Sequence, residues 1–186
     1  MKKIINIIIQ LPKWCGIVVV LIYGLLVAEF MHTFAERLMN TEATGILRTL
    51  LQLNYVITIL STVAVWVILC LLFHLTSLLL NGKATFGRFL IIAGYPYIFP
   101  AIFVLIAISL LENVEIIETQ DIVQTLQQNS QIQLIAKLVN LSFIPYYLIV
   151  ACFVRHLYNI KWIYALLSIA IPVLSIWGIV ELFKLI

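Results

Sequence analysis

Residues 81–100 read NGKATFGRFLIIAGYPYIFP, a short basic turn, Asn81-Gly82-Lys83, feeding straight into an apolar segment. That segment carries Gly94-Tyr95 and two prolines, Pro96 and Pro100. The apolar run upstream, Tyr55 to Leu80, is long enough to cross a bilayer core of about 30 Å. Two such runs joined by so short a turn predict a helical hairpin in a membrane. Gly82 is expected to supply the positive φ of that turn, because it has no Cβ to clash.

The composition agrees. Of 186 residues, 64% are hydrophobic and 10% charged. Soluble domains carry roughly a quarter charged residues, so the polar surface that would hold this chain in water is missing. The reading is an all-α, polytopic integral membrane protein forming a single membrane domain over residues 1–186. Little chain remains to build a nucleic-acid surface, and no such partner is expected. Cys15, Cys70 and Cys152 show no paired spacing and read as small hydrophobes.

Around the hairpin the remaining chain falls into place. Met1 to Leu11 reads as a short interfacial helix ending at Pro12. Spans are expected at about 14–31, 55–80, 88–111, 134–154 and 162–183. His32 to Asn54 is expected on the membrane surface, and residues 112–133 form a polar outer loop rich in Glu and Gln. One side of such a chain collects Lys2, Lys3, Lys13, Lys83, Arg88, Arg155 and Lys161. The other collects only Arg37, Arg48, Lys137 and Lys184. Loops rich in Lys and Arg stay cytoplasmic, so the N-terminus is expected in the cytoplasm and the C-terminus outside.

Several residues could carry chemistry or packing. Pro96, Pro100, Pro145 and Pro172 fall inside spans and should bend them. Gly87, Gly94 and Ala101 recur every seven residues and predict a contact stripe on one helical face. Ala165, Ser168, Pro172 and Ser175 do the same on the fifth span. Tyr95, beside the first stripe, should direct its hydroxyl to span four near Tyr146. Glu29, His32 and Glu36 share a face, but metal chemistry of that kind needs a second copy on another helix. His74 is expected to hydrogen-bond a neighbouring helix. Enzyme signatures such as Gly-x-Ser-x-Gly or His-Glu-x-x-His are absent, so neither an enzymatic activity nor a cofactor or metal is expected.

The pattern of Gly82-Lys83, Phe86, then Gly94-Tyr95 with Pro96 and Pro100 following, between two long apolar runs, resembles the Yip (Ypt-interacting protein) domain family. The resemblance implies a non-enzymatic, five-span protein. In eukaryotes the family serves vesicle traffic and binds prenylated small GTPases through members with a long N-terminal region bearing Asp-Leu-Tyr-Gly-Pro. Only about a dozen residues precede span one here, without that motif, which counts against a small GTPase partner. The chain looks more like a bacterial member of the plasma membrane, multi-pass in the lipid bilayer. Its expected role is that of a scaffold or accessory subunit acting through helix–helix contacts. It would associate with another membrane protein or a homo-oligomer, assisting a membrane transport system or tolerance to membrane-active agents. The alternative is a small transporter or channel built on proline-bent helices, as broken spans are in known transporters.

Overall fold

A computed structural model of the chain describes residue 12 and residues 14–39, 45–114 and 129–184. Among them the structure is all-helical, with no strand. In chain order the helices are α1 (Trp14–Met39), α2 (Gly45–Leu79), α3 (Phe86–Ala93), α4 (Ile98–Leu111), α5 (Ser130–Leu141), α6 (Phe143–Tyr158) and α7 (Trp162–Lys184). A 3-10 turn, Tyr95–Tyr97, links α3 to α4. Five stretches are long and apolar enough to cross a membrane: Trp14–Arg37, Thr49–Leu79, Phe86–Leu111, Ser130–Tyr158 and Trp162–Phe183. The interfacial helix expected before Pro12 and the polar stretch 115–128 lie outside the described residues.

The described residues of the stretch expected on the membrane surface, His32 to Asn54, are helical. α1 runs on to Met39, and α2 begins at Gly45, ten residues before the expected span. No proline or glycine interrupts residues 32–44, so backbone hydrogen bonding carries the helix past its first charged residues.

Two apolar stretches are broken, and proline explains both. Pro96 has no N–H for the Ile92 carbonyl and Pro100 none for that of Pro96, so the α-helical ladder fails at 94–97. Pro145 likewise withholds a donor from Leu141, and the chain turns at Ser142, whose hydroxyl donates back to the Val139 carbonyl.

The chain packs as two compact units. The first comprises residues 1–19, 64–96 and 145–186; the second comprises 20–63 and 97–144. Of the four boundaries, those between Pro96 and Tyr97 and between Ile144 and Pro145 fall at or beside the two breaks, and the other two fall inside α1 and α2. In the second unit Ala107 and Leu111 of α4 pack with Val114 and with Ile135 of α5. Phe30 and Phe34 of α1 cover them. Arg37 donates to the Glu112 carbonyl at 2.7 Å, satisfying an end carbonyl of α4. Asn129 caps α5, its side-chain oxygen accepting from the Gln131 and Ile132 N–H groups at 3.0 and 3.2 Å. Tyr23 stacks at a tilt on Tyr97, ring centroids 5.1 Å apart, and meets Phe143 edge-on at 6.5 Å.

In the first unit the close approach is between backbones. A Cβ added at Gly94 would fall onto the carbonyl and Cα of Gly16 on α1, and one at Gly16 onto the Ile91 carbonyl. Glycine on both sides lets α1 and the end of α3 touch through main chain alone. The expected stripe is therefore corrected at one position. Gly94 and Ala101 are buried, but Gly87 is exposed, and a Cβ there would meet nothing within 4 Å.

Opposite effects follow for two chemically identical substitutions. Gly94→Ala should lower stability by about 1–3 kcal/mol through overpacking. Gly87→Ala should be neutral or stabilising by up to about 1 kcal/mol, as for glycine inside an exposed helix. Unfolding in mixed micelles, with folded yield as a second readout, compares them; equal loss at both positions would contradict the Gly16–Gly94 contact.

Candidate functional site: the polar seam of the first unit

The polar groups of α2, α6 and α7 in the first unit form a seam of hydrogen bonds between helices. Its starting point is Pro172. Inside α7 it has no N–H to give the carbonyl four residues back, Ser168. An orphan carbonyl in an apolar interior costs about 1–3 kcal/mol. Thr76 of α2 supplies the missing donor: its hydroxyl lies 2.7 Å from the Ser168 carbonyl. The same hydroxyl is 2.8 Å from the Leu72 carbonyl of its own helix, so one proton is shared between an intrahelical and an interhelical acceptor. The Ser168 hydroxyl turns back to the Tyr164 carbonyl at 2.7 Å, and Ser77 to Phe73 at 2.6 Å. These back-bonds let hydroxyls lie buried among apolar side chains.

Two residues before Thr76, on the same helix, His74 Nδ1 and the Tyr158 hydroxyl of α6 share a hydrogen bond of 2.5 Å. Either group can donate, according to the imidazole tautomer, so the link persists in both neutral forms. The His74 partner on a neighbouring helix is thus Tyr158, in accord with the sequence reading. Phe86 lies 5.4 Å from the imidazole and Phe89 5.6 Å from the Tyr158 ring, centroid to centroid, closing α3 over the pair.

The basic turn meets the same tyrosine. α2 ends with Asn81 in the left-handed region, φ 66°. Asn81 N–H bonds to the Leu78 carbonyl and Gly82 N–H to that of Ser77, at 3.0 and 2.9 Å, satisfying the carbonyls at the helix end. Gly82 does not carry the positive φ expected of it; Asn81 does, since a short polar side chain tolerates that region. What Gly82 provides is room. A Cβ there would sit 2.7 Å from the Ser77 carbonyl and 2.8 Å from the Tyr158 ring. Lys83 N–H then donates to the Tyr158 carbonyl at 3.2 Å, and Asn159 turns α6 off with φ 53°.

The other residues singled out in the sequence fall around this seam or outside it. Pro96 and Pro100 are buried, and the Lys83 side chain is exposed. The Tyr95 hydroxyl donates to the Pro12 carbonyl at 3.1 Å rather than reaching span four. Pro12 is the closer acceptor because Gly16 brings the start of α1 against the end of α3. Of the fifth-span stripe, Ala165, Ser168 and Pro172 are buried and Ser175 is exposed. In the second unit His32 pairs with Glu36 at 3.6 Å, while the Tyr55 hydroxyl donates to the Glu29 carboxylate. Among the described residues no three His, Cys, Asp or Glu side chains gather. Thr76, Tyr158 and Gly16 were not singled out in the sequence. The signal for Thr76 was indirect: Pro172 marks the Ser168 carbonyl as needing a donor, without naming the helix that brings one.

In comparisons with known proteins, no family model, no curated protein and no solved structure matches this chain.

If Thr76 answers the gap left by Pro172, the two positions are coupled. Thr76→Val keeps the shape but removes the hydroxyl, and should destabilise by about 1–2 kcal/mol. In a Pro172→Ala background α7 closes its own bond to Ser168, and the same substitution should cost less than half as much. A double-mutant cycle read by unfolding in mixed micelles checks this; strict additivity would show that the Thr76–Ser168 bond contributes nothing.

Proposed function

We propose that this chain is a bacterial plasma-membrane protein of Yip-like type, crossing the bilayer five times with its N-terminus in the cytoplasm. It works without enzymatic chemistry, as a scaffold or accessory subunit that engages other membrane helices. Five long apolar helices support the membrane reading, and the sequence pattern from Gly82 through Gly94-Tyr95 to Pro100 supports the family.

The observation that carries the scaffold reading is the far half of α7. From Leu174 to Phe183 every residue is exposed or half-exposed, with Leu174 and Trp177 at 62% and Phe183 at 74%. A Cβ at Gly178 would meet nothing within 4 Å. Ser175 and Gly178 lie one turn apart on this free arm, and small residues of that kind let a second helix approach closely. In contrast, the hydroxyls of Thr76, Ser77, Tyr158 and Ser168 and the imidazole of His74 are engaged in bonds between and within helices of the first unit.

The breaks at 94–97 and Ser142 favour a second reading, a small transporter or channel, because broken spans build midplane binding sites in transporters. Flux separates the two. Vesicles holding the purified chain should stay tight to ions and small solutes, whereas solute-selective flux would overturn the scaffold reading. Gly178→Leu should weaken association in the membrane by roughly tenfold, as overpacking at a contact does, while leaving folded yield unchanged. Energy transfer between labelled copies, or migration of the native complex, reads this out.

Topology is checked separately. Reporters fused after Ile186 and within residues 115–128 should report outside, and one placed at Lys83 inside. A C-terminus reporting inside would remove the five-span order.

A further inference from the structure

One end of the first unit gathers cations without counter-charges. Lys83 N–H is bonded to the Tyr158 carbonyl, so the turn after α2 and the turn after α6 are held together. That bond brings Lys83 and Arg88, from one turn and the helix it opens, to the end where Arg155, His156 and Lys161 flank Asn159. All five side chains are exposed. Among the described residues none of the four Lys and Arg side chains has an acidic partner; the ion pair found there is His32–Glu36, in the other unit. The ranges that make up the first unit contain one acidic residue, Glu181, about 30 Å along α7 from Lys161 at helical rise. One of these cations is also held in place. The Arg155 guanidinium lies over the Trp162 ring, 5.8 Å from its centroid. Tryptophan prefers the level of lipid head groups, and the stacked guanidinium is thereby presented there.

We infer that this end of the first unit binds the phosphate head groups of anionic phospholipids. The surface combines unpaired, closely grouped cations with an aromatic side chain suited to the interface, and anionic lipid is the polyanion that a membrane places at that level. The topology rule accounts for which side such residues face. It does not require that two turns be hydrogen-bonded together or that Arg155 be stacked in place. The inference rests on the chain spanning a bilayer, and the experiment separates the two.

The test uses the full chain with Trp14→Phe, Trp66→Phe and Trp177→Phe, leaving Trp162 as the fluorophore. It is reconstituted in phosphatidylcholine vesicles containing a minor fraction of phosphatidylglycerol or phosphatidylcholine brominated high in the acyl chain. Brominated phosphatidylglycerol should quench Trp162 at least about threefold more than the same fraction of brominated phosphatidylcholine, and added salt should narrow the gap. Lys83→Gln with Arg88→Gln and Lys161→Gln, its helicity checked by circular dichroism, should bring the two lipids to parity. Equal quenching by both lipids in the parent chain would overturn the proposal. So would a preference abolished by inorganic phosphate at constant ionic strength, which would assign the surface to a soluble anion. So would equal quenching together with capture of polyglutamate, which would assign it to an acidic protein segment. A companion chain retaining Trp177 alone should be quenched equally by the two lipids. No quenching at Trp177 by either would overturn the membrane reading itself.

Discussion

A proline inside an apolar helix leaves one carbonyl without its donor, and in an environment without water that carbonyl must find another. The first unit is arranged around such demands. Pro172 strips Ser168, and the Thr76 hydroxyl answers from α2. The end of α6 exposes the Tyr158 carbonyl, and Lys83 N–H answers from the turn. The end of α2 needs donors for Leu78 and Ser77, and Asn81 supplies the left-handed step that lets its own N–H and that of Gly82 reach them. Non-directional burial would tolerate small slips between these helices; the hydrogen bonds fix which residues lie opposite each other. Glycine at 82, 16 and 94 then supplies the space that those fixed registers require.

Much of the architecture was legible because membrane helices announce themselves by unbroken apolar length, which needs no partner to be recognised. The five stretches, the turn at 81–83 and the weak points at Pro96 and Pro100 were all visible that way. Places where two helices meet were not. Gly87 and Gly94 are identical letters on one predicted face, yet one meets the Gly16 backbone and the other open space, because only the former lies where α1 crosses. Gly82 looked like the residue with positive φ, but Asn81 beside it, which tolerates that region, takes it, and Gly82 instead leaves room for the Tyr158 ring. Tyr158 itself carries no local signal in an apolar run. Its carbonyl, hydroxyl and ring acquire their partners from chain more than seventy residues away. Apolar length bounded the expected spans at Met31 and Tyr55, whereas the helices run on to Met39 and begin at Gly45, because charged side chains end an apolar run without ending a helix.

The arrangement also bears on the proposed role. In the first unit Thr76 and the His74–Tyr158 pair connect helix to helix, and the side chains of the far half of α7 are exposed or half-exposed. A chain of this kind has a firmly tied portion and a free arm, which is the division that an adaptor between membrane proteins uses. On the proposed lipid contact, its cationic end, held by the same Lys83–Tyr158 bond, would be the reference from which that arm extends.

The contact between Gly16 and Gly94 has a consequence for biogenesis. During synthesis Gly16 is made long before residue 94, so the face of α1 that carries it waits for its partner until the third apolar stretch arrives, although α2 can already meet α1 further along, at Glu29 and Tyr55. Independent insertion followed by lateral association allows this, because a transmembrane helix satisfies its own backbone bonds. The glycine pair then acts late, as a latch between the first helix and a newcomer. A chain arrested between those two events would hold α1 with the face that carries Gly16 still bare.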